Sequence, residues 1–320
     1  MSLDMGSGAP ASPSPAPDVT TAIPVRHPWR NLFAVVLLLG VALFLYDAFT
    51  NRPAYDWPAV WKYVWDRRIS QAALVTLELT FLSMIGAVLL GVGLAIMRLS
   101  PNPVLKAVAW AFIWLFRGTP VYVQLVFWGL LATIYQTIFV GIPFTEIGVR
   151  FDTQDGISVF WLAVIGLMLN EAAYMSEIVR AGLLSVDDGQ EEAARALGFS
   201  WWQTMRRIII PQAMRVIIPP TGNEVISMLK TTSLVIAVPV STDLYMRSRD
   251  ISAETFNPVP LLIVASLWYL LFTSILMVGQ YFLERHYGRG TRHVELGDQA
   301  LAGTGEEGNV VIGGPGGGGR

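Results

Sequence analysis

Strongly polar side chains standing inside apolar blocks carry most of the chemical information in this 320-residue chain, because burying them is costly. They are Glu78 in TLELT, Asn170, Glu171 and Glu177 in LMLNEAAYMSEI, and Lys230 followed by Thr231, Thr232 and Ser233. At membrane depth such groups line a polar path or hydrogen-bond to a neighbouring helix. Glu78, Asn170 and Glu171 are the candidates for a path. Glu171 and Glu177, six residues apart, differ by about 600° of helix rotation and face different directions. Lys230 is expected to snorkel to the headgroups, and the hydroxyls after it to bond their own backbone.

Other chemistry is excluded by what is missing. There is no cysteine, and His27, His286 and His293 lie outside every apolar block, so no thiolate or clustered-histidine metal site can be written. Lys62, Lys106 and Lys230 follow Trp61, Leu105 and Leu229, so the Gly-Lys-Ser/Thr that ends a phosphate-binding P-loop cannot be written anywhere in the chain. No G-x-S-x-G nucleophile motif occurs either. The chain reads as a non-enzyme with no cofactor, and nothing in it points to nucleic acid.

The elements that position these residues are set by composition. With 53% hydrophobic and 14% charged residues and a mean hydropathy of +0.50, the chain is an integral membrane protein. A hydrocarbon core about 30 Å thick needs roughly 20 apolar residues per helix. Blocks 32–49, 72–97, 121–140, 158–179 and 260–282 meet that need, and 225–244 is a weaker sixth. The expectation is an all-α, polytopic membrane fold with six spans. Of the 22 Lys and Arg, 14 fall on one set of segments and 7 on the other, which places both termini in the cytoplasm. The domains follow: a disordered cytoplasmic tail over 1–31, an N-terminal span over 32–50, an extracytoplasmic linker over 51–71, a transmembrane domain over 72–283 and a Gly-rich cytoplasmic tail over 284–320.

Two local patterns bear on packing. From 107 to 140 the apolar run would be about 50 Å long as one helix, too long for a single span. FRGTP (116–120) cuts it, since Pro120 donates no hydrogen bond and biases Thr119 away from helix. A shallow helix should precede Arg117, Gly118, Thr119 and Pro120, with the span after them and Arg117 pinning the turn or acting as a gate. Ala87, Gly91 and Ala95 recur every fourth residue and suit a close helix contact.

Between spans lies GQEEAARALGFSWWQTMRRIIIPQAMR. Glu191 to Leu197 are strong helix formers with acidic residues at the dipole-favoured start, and Gly198 supplies a residue tolerant of a left-handed corner. Ser200 and Gln203 then have capping-box spacing, starting a second helix at Trp201 that should end near Ile210, before Pro211. Two interfacial helices resting on lipid headgroups would explain an amphipathic elbow of this kind.

The spacing Glu192, Ala193, Ala194, three residues, Gly198, nine residues, Ile208, one residue, Ile210, Pro211 resembles the EAA loop of ATP-binding-cassette (ABC) importer permeases. FRGTPVYVQL, AYMSEIVRAGLLSVDDGQEEAARALGFS, IIPQAMRVIIPP and LKTTSLV resemble the polar amino acid branch of that family. The likeness covers roughly 70–283. The first span, Ile210 in place of Leu and the insertion PFTEIGVRFDTQDG depart from it. The resemblance implies a permease subunit of the cytoplasmic (inner) membrane. Glu192, Ala193, Ala194, Gly198, Ile208 and Pro211 would form a coupling helix docked on separate ATPase subunits. A second permease subunit, identical or related, and an extracytoplasmic solute-binding protein would complete the assembly. The competing reading is an ion-gradient-driven secondary transporter or channel.

Overall fold

The computed structural model describes residues 28–142, 147–152, 158–238 and 242–288. Expectations about the loose tails lie largely outside them. The chain forms two compact units, Met1–Pro53 and Ala54–Arg320. In the first, helix α1 (Pro28–Thr50) is apolar around its circumference, and only Ala48 is buried. A helix apolar on every side suits a lipid span. Its end is closed by Asp47, which accepts from Asn51 Nδ2 at 3.0 Å and Arg52 Nε at 2.7 Å.

The second unit begins with short α2 (Trp57–Val64), started by Asp56, and the 33-residue α3 (Arg67–Leu99), started by Asp66; each carboxylate accepts a backbone N–H of its own first turn. The helices α4 (Pro103–Gly118), α5 (Val121–Gly129) and α6 (Leu131–Ile134) follow, then an antiparallel hairpin of β1 (Thr137–Gly141) and β2 (Gly148–Asp152). Helix α7 (Val159–Leu184) crosses back, and α8 (Asp188–Ala196), α9 (Trp201–Thr204) and α10 (Ile210–Thr231) carry the charged segment. A 3-10 stretch (Thr232–Ala237), α11 (Leu244–Thr255) and α12 (Pro258–Tyr287) complete the unit.

The main core is the pairing of α3 with α7, and the small-residue stripe is its cause. Ala87, Gly91 and Ala95 are buried, and a Cβ on Gly91 would lie 2.7 Å from Met175 Cβ and 3.1 Å from Ser176 N. No larger residue fits there without separating the helices. A second core joins α2, α3, α11 and α12 through Val60, Ile69, Leu244 and Leu261. It is tied by Asn257 Nδ2 donating to Asp56 Oδ2 at 2.6 Å and Trp268 Nε1 donating to the Val64 carbonyl at 3.2 Å.

The span count differs from expectation. Among the described residues, helices α1, α3, α7 and α12 are long and apolar enough to cross a membrane, and the bent pair α4 and α5 makes a fifth if it crosses as one span. The sixth block is shifted: its helix is α10, which starts at Ile210 and ends at Thr231, and Arg215, Glu224 and Lys230 keep its average polarity high. The 121–140 block is also broken. Helix gives way after Ile134, and β-branched Thr137, Ile138 and Val140 form strand against the insertion, with Ile138 opposite Phe151.

Between the 3-10 stretch and α11 sits Asp243, wholly buried and capping α11 by accepting from Tyr245 N at 3.1 Å and Met246 N at 3.3 Å. Among the described residues its Oδ1 has no hydrogen-bond partner, and burial pushes its pKa from the ordinary 3.8 to about 6, against the downward pull of those N–H groups. The folded state therefore holds the proton more tightly than the unfolded chain. Stability rises as pH falls from about 6 to about 4, and the ionised group costs about 3 kcal/mol above that window. Asp243→Asn keeps the cap without the charge. Its melting temperature in detergent is expected to exceed the wild type's at pH 7.5, with the gap narrowing as pH falls from about 6 toward 4; equal curves at pH 7.5 would refute this account.

Candidate functional site

The axes of α4 and α5 meet at 100°, so FRGTP is a sharp corner. Thr119 is extended (φ −119, ψ 145), as a residue before proline prefers. Gln124 fastens the corner: its Nε2 donates to the Phe116 and Thr119 carbonyls, each at 3.0 Å, and to Thr119 Oγ1 at 2.7 Å. Asn170 on α7 donates to the same Phe116 carbonyl at 3.0 Å and to Gln124 Oε1 at 3.1 Å. Asn170 thus makes an interhelical bond and also faces the space beside the corner.

That space is a cavity of about 590 Å³ walled by Arg117 to Val121, by α7 through Asn170, Glu171 and Tyr174, and by α10 through Glu224, Ser227 and Thr231. Glu171 is 7% exposed, its Oε1 has no hydrogen-bond partner, and its carboxyl interacts directly with that of Glu224. Two carboxylates so placed repel unless a proton or a cation lies with them. A second cavity of about 370 Å³ shares Arg117, Tyr174 and Glu224 and adds Glu177. Glu171 and Glu177 therefore line different cavities, as their angular separation requires, and the cavities meet at those shared residues. Glu177 is already paired with Arg180 at 2.7 Å. Arg117 stands over the Tyr174 ring, 5.1 Å from its centre.

Glu78 is not brought here. It is exposed on α3 in line with Leu74, Phe81 and Ile85, because that helix turns Thr76, Leu79, Thr80 and Ser83 inward. Lys230 is exposed, and Thr231, Thr232 and Ser233 donate to the carbonyls of Ser227, Leu229 and Lys230 at 3.0, 2.7 and 2.8 Å.

The elbow has the expected corner. Gly198 has φ +77, the Phe199 N–H donates to the Ala194 carbonyl at 3.0 Å, and the Gly198 N–H to that of Arg195 at 2.9 Å. This is a complete Schellman cap. The capping box forms in both directions, with Gln203 N to Ser200 Oγ at 3.4 Å and Ser200 N to Gln203 Oε1 at 2.8 Å. Ala194 is buried, whereas Glu192, Ala193, Leu197, Trp201 and Trp202 are exposed. The two tryptophans are thus presented outward. Glu191 pairs with Arg195, while Glu192 makes no ion pair among the described residues. Pro211 does not end the second helix. A π-helical turn, Met205–Ile209, joins α9 to α10, and Pro211 falls in the first turn of α10, where its missing N–H costs little. The elbow therefore runs directly into the helix carrying Glu224.

The sequence pattern of the family described as binding-protein-dependent transport system inner membrane component matches residues 87–289. The chain belongs to this family. It is 54% identical to the arginine transport system permease protein ArgU of Corynebacterium glutamicum, over 96% of this chain and 95% of that one. It is 38% identical to the histidine/lysine/arginine/ornithine transport system permease protein HisM of Escherichia coli, over 63% of this chain and 82% of HisM. The crystal structure of an amino acid ABC transporter with histidines matches at a TM-score of 0.57 and 34% identity, over 68% of this chain and 94% of that one. This is a multi-pass, membrane-spanning permease subunit of an ABC importer. The family match contains the FRGTP corner, both cavities and the elbow, but not α1, whereas the ArgU match is long enough to include α1.

Within this permease, sequence reasoning missed Glu224 and Gln124. Glu224 stands one residue before the apolar block 225–244, just after Pro219 and Pro220, through which α10 passes unbroken. Gln124 was legible as a strongly polar residue in an apolar run, the signal that singled out Asn170.

Proposed function

We propose that this permease carries an amino acid with a cationic side chain, along the cavities between α7 and α10, when ATPase subunits drive the elbow. The observation that carries the substrate class is Glu171, buried and incompletely bonded beside Glu224, a pair that a guanidinium or ammonium group would neutralise. ArgU and HisM are both named as permease proteins of transport systems that include arginine, which supports the same class. The apolar, outward-facing Leu197, Trp201 and Trp202 with unpaired Glu192 offer an ATPase groove both area and charge.

The assembly comprises two permease subunits, alike or related, two ATPases and an extracytoplasmic solute-binding protein. Residues 72–283 are the permease domain, span 32–50 is an addition, and both termini face the cytoplasm.

Reconstitution tests this reading. The permease alone in liposomes should give no concentrative uptake of arginine, and adding ATPase, binding protein and ATP should produce it. Accumulation by the permease alone under an ion gradient would instead establish the secondary-transporter reading.

A further inference from the structure

Among the described residues, Arg117 is the one basic side chain lining either cavity, and no carboxylate reaches it at ion-pair distance. That is unexpected in cavities holding Glu171, Glu177 and Glu224, where a flexible arginine would pair if free to do so. Two features hold it away. Its backbone belongs to the corner fixed by Gln124 and Asn170 through the Phe116 and Thr119 carbonyls. Its guanidinium lies against the Tyr174 face, a contact that leaves the in-plane N–H donors unoccupied.

A cationic amino acid carries a carboxylate at its other end. We propose that Arg117, positioned by Tyr174, is the anchor for the α-carboxylate of the transported amino acid. Glu171 and Glu224, across the same cavity, hold the cationic side chain. A planar fork of donors matches a carboxylate bidentately, which an ammonium does not. The cavity then reads both ends of its substrate, whereas the carboxyl pair alone accepts any organic cation. This assignment rests on the proposed path for a cationic amino acid.

The test is direct binding to the full-length permease assembled with its ATPases in nanodiscs, without the binding protein, using L-arginine and agmatine, which has the same guanidinium but no carboxylate. The wild type should bind arginine more than tenfold tighter than agmatine. Arg117→Gln should reduce that ratio below twofold by weakening arginine alone, Arg117→Lys should recover part of it, and Tyr174→Leu should weaken arginine alone. A ratio preserved in Arg117→Gln overturns the anchor. Should Arg117→Gln lose both ligands, Arg117→Lys decides: a ratio equal to the wild type's overturns the anchor, and a reduced one supports it. Equal binding of the two ligands by the wild type overturns the anchor but leaves the cationic path standing. Binding of neither ligand removes the path itself and the anchor with it.

Discussion

Gly198→Val is expected to reduce ATP-driven uptake more than tenfold while leaving the permease inserted and folded. Gly198 has φ +77, a conformation disfavoured by about 1–2 kcal/mol for ordinary L-residues and by more for a β-branched one. Space is not the obstacle, since an added Cβ meets nothing within 4 Å. The backbone is. Relieving φ breaks the two cap hydrogen bonds and re-aims α8 relative to the capping box that starts α9. The spans pack through α3, α7 and α12 and do not need that corner, but force transmission does, because α9 continues through the π turn into α10 and so to Glu224. Gly198→Asn is the control, as asparagine tolerates the left-handed region best among the other residues. Uptake and ATP hydrolysis should be measured together in proteoliposomes containing the whole complex. Retained hydrolysis with lost uptake is the expected pattern for Val, and near-normal uptake for Asn. Normal uptake by the Val variant would remove the corner from the coupling mechanism.

Why the elbow was so readable, and the path less so, has a physical basis. The Schellman corner and capping box are local: Gly198, Ser200 and Gln203 fix them through bonds within a few residues, so spacing alone suffices. The α3 contact was also half-visible, because Ala87, Gly91 and Ala95 repeat at helical period, although nothing in the sequence named Met175 as the neighbour. Positions that depend on where helices meet were not accessible. Glu78 and Glu171 are equally polar residues in equally apolar runs, and only the rotation of α3 against α7 exposes one and buries the other. Glu224 was hidden because Pro219 and Pro220 ordinarily stop a helix. Here the helix persists, with Gln280 of α12 donating to the Pro219 carbonyl at 2.8 Å. The hairpin is a similar case, since Thr137 to Val140 is apolar enough for a span, and its pairing with β2 comes from an insertion whose partner strand hydropathy does not reveal.

The largest effect expected at the substrate path is that of replacing its carboxyl pair. Glu171→Gln with Glu224→Gln should reduce uptake of a basic amino acid by more than tenfold, with each single variant intermediate. The argument is one of charge at low dielectric. Close charge pairs removed from water couple by about 1.5–7 kcal/mol, and even the lower figure corresponds to more than tenfold. Glutamine preserves size and hydrogen-bonding capacity, so packing around α7 and α10 is retained while the negative charge is lost. Glu171 is the more sensitive site because it is buried and Glu224 only half-buried, and the less hydrated charge exerts the stronger field. The binding protein delivers the same substrate to wild type and variant, so its own selectivity cancels in the comparison. ATP hydrolysis stimulated by loaded binding protein should persist, because the elbow lies outside both cavities. A double variant that transports at the wild-type rate would show that the cation passes elsewhere, and that the pairing of Glu171 with Glu224 serves only to join α7 to α10.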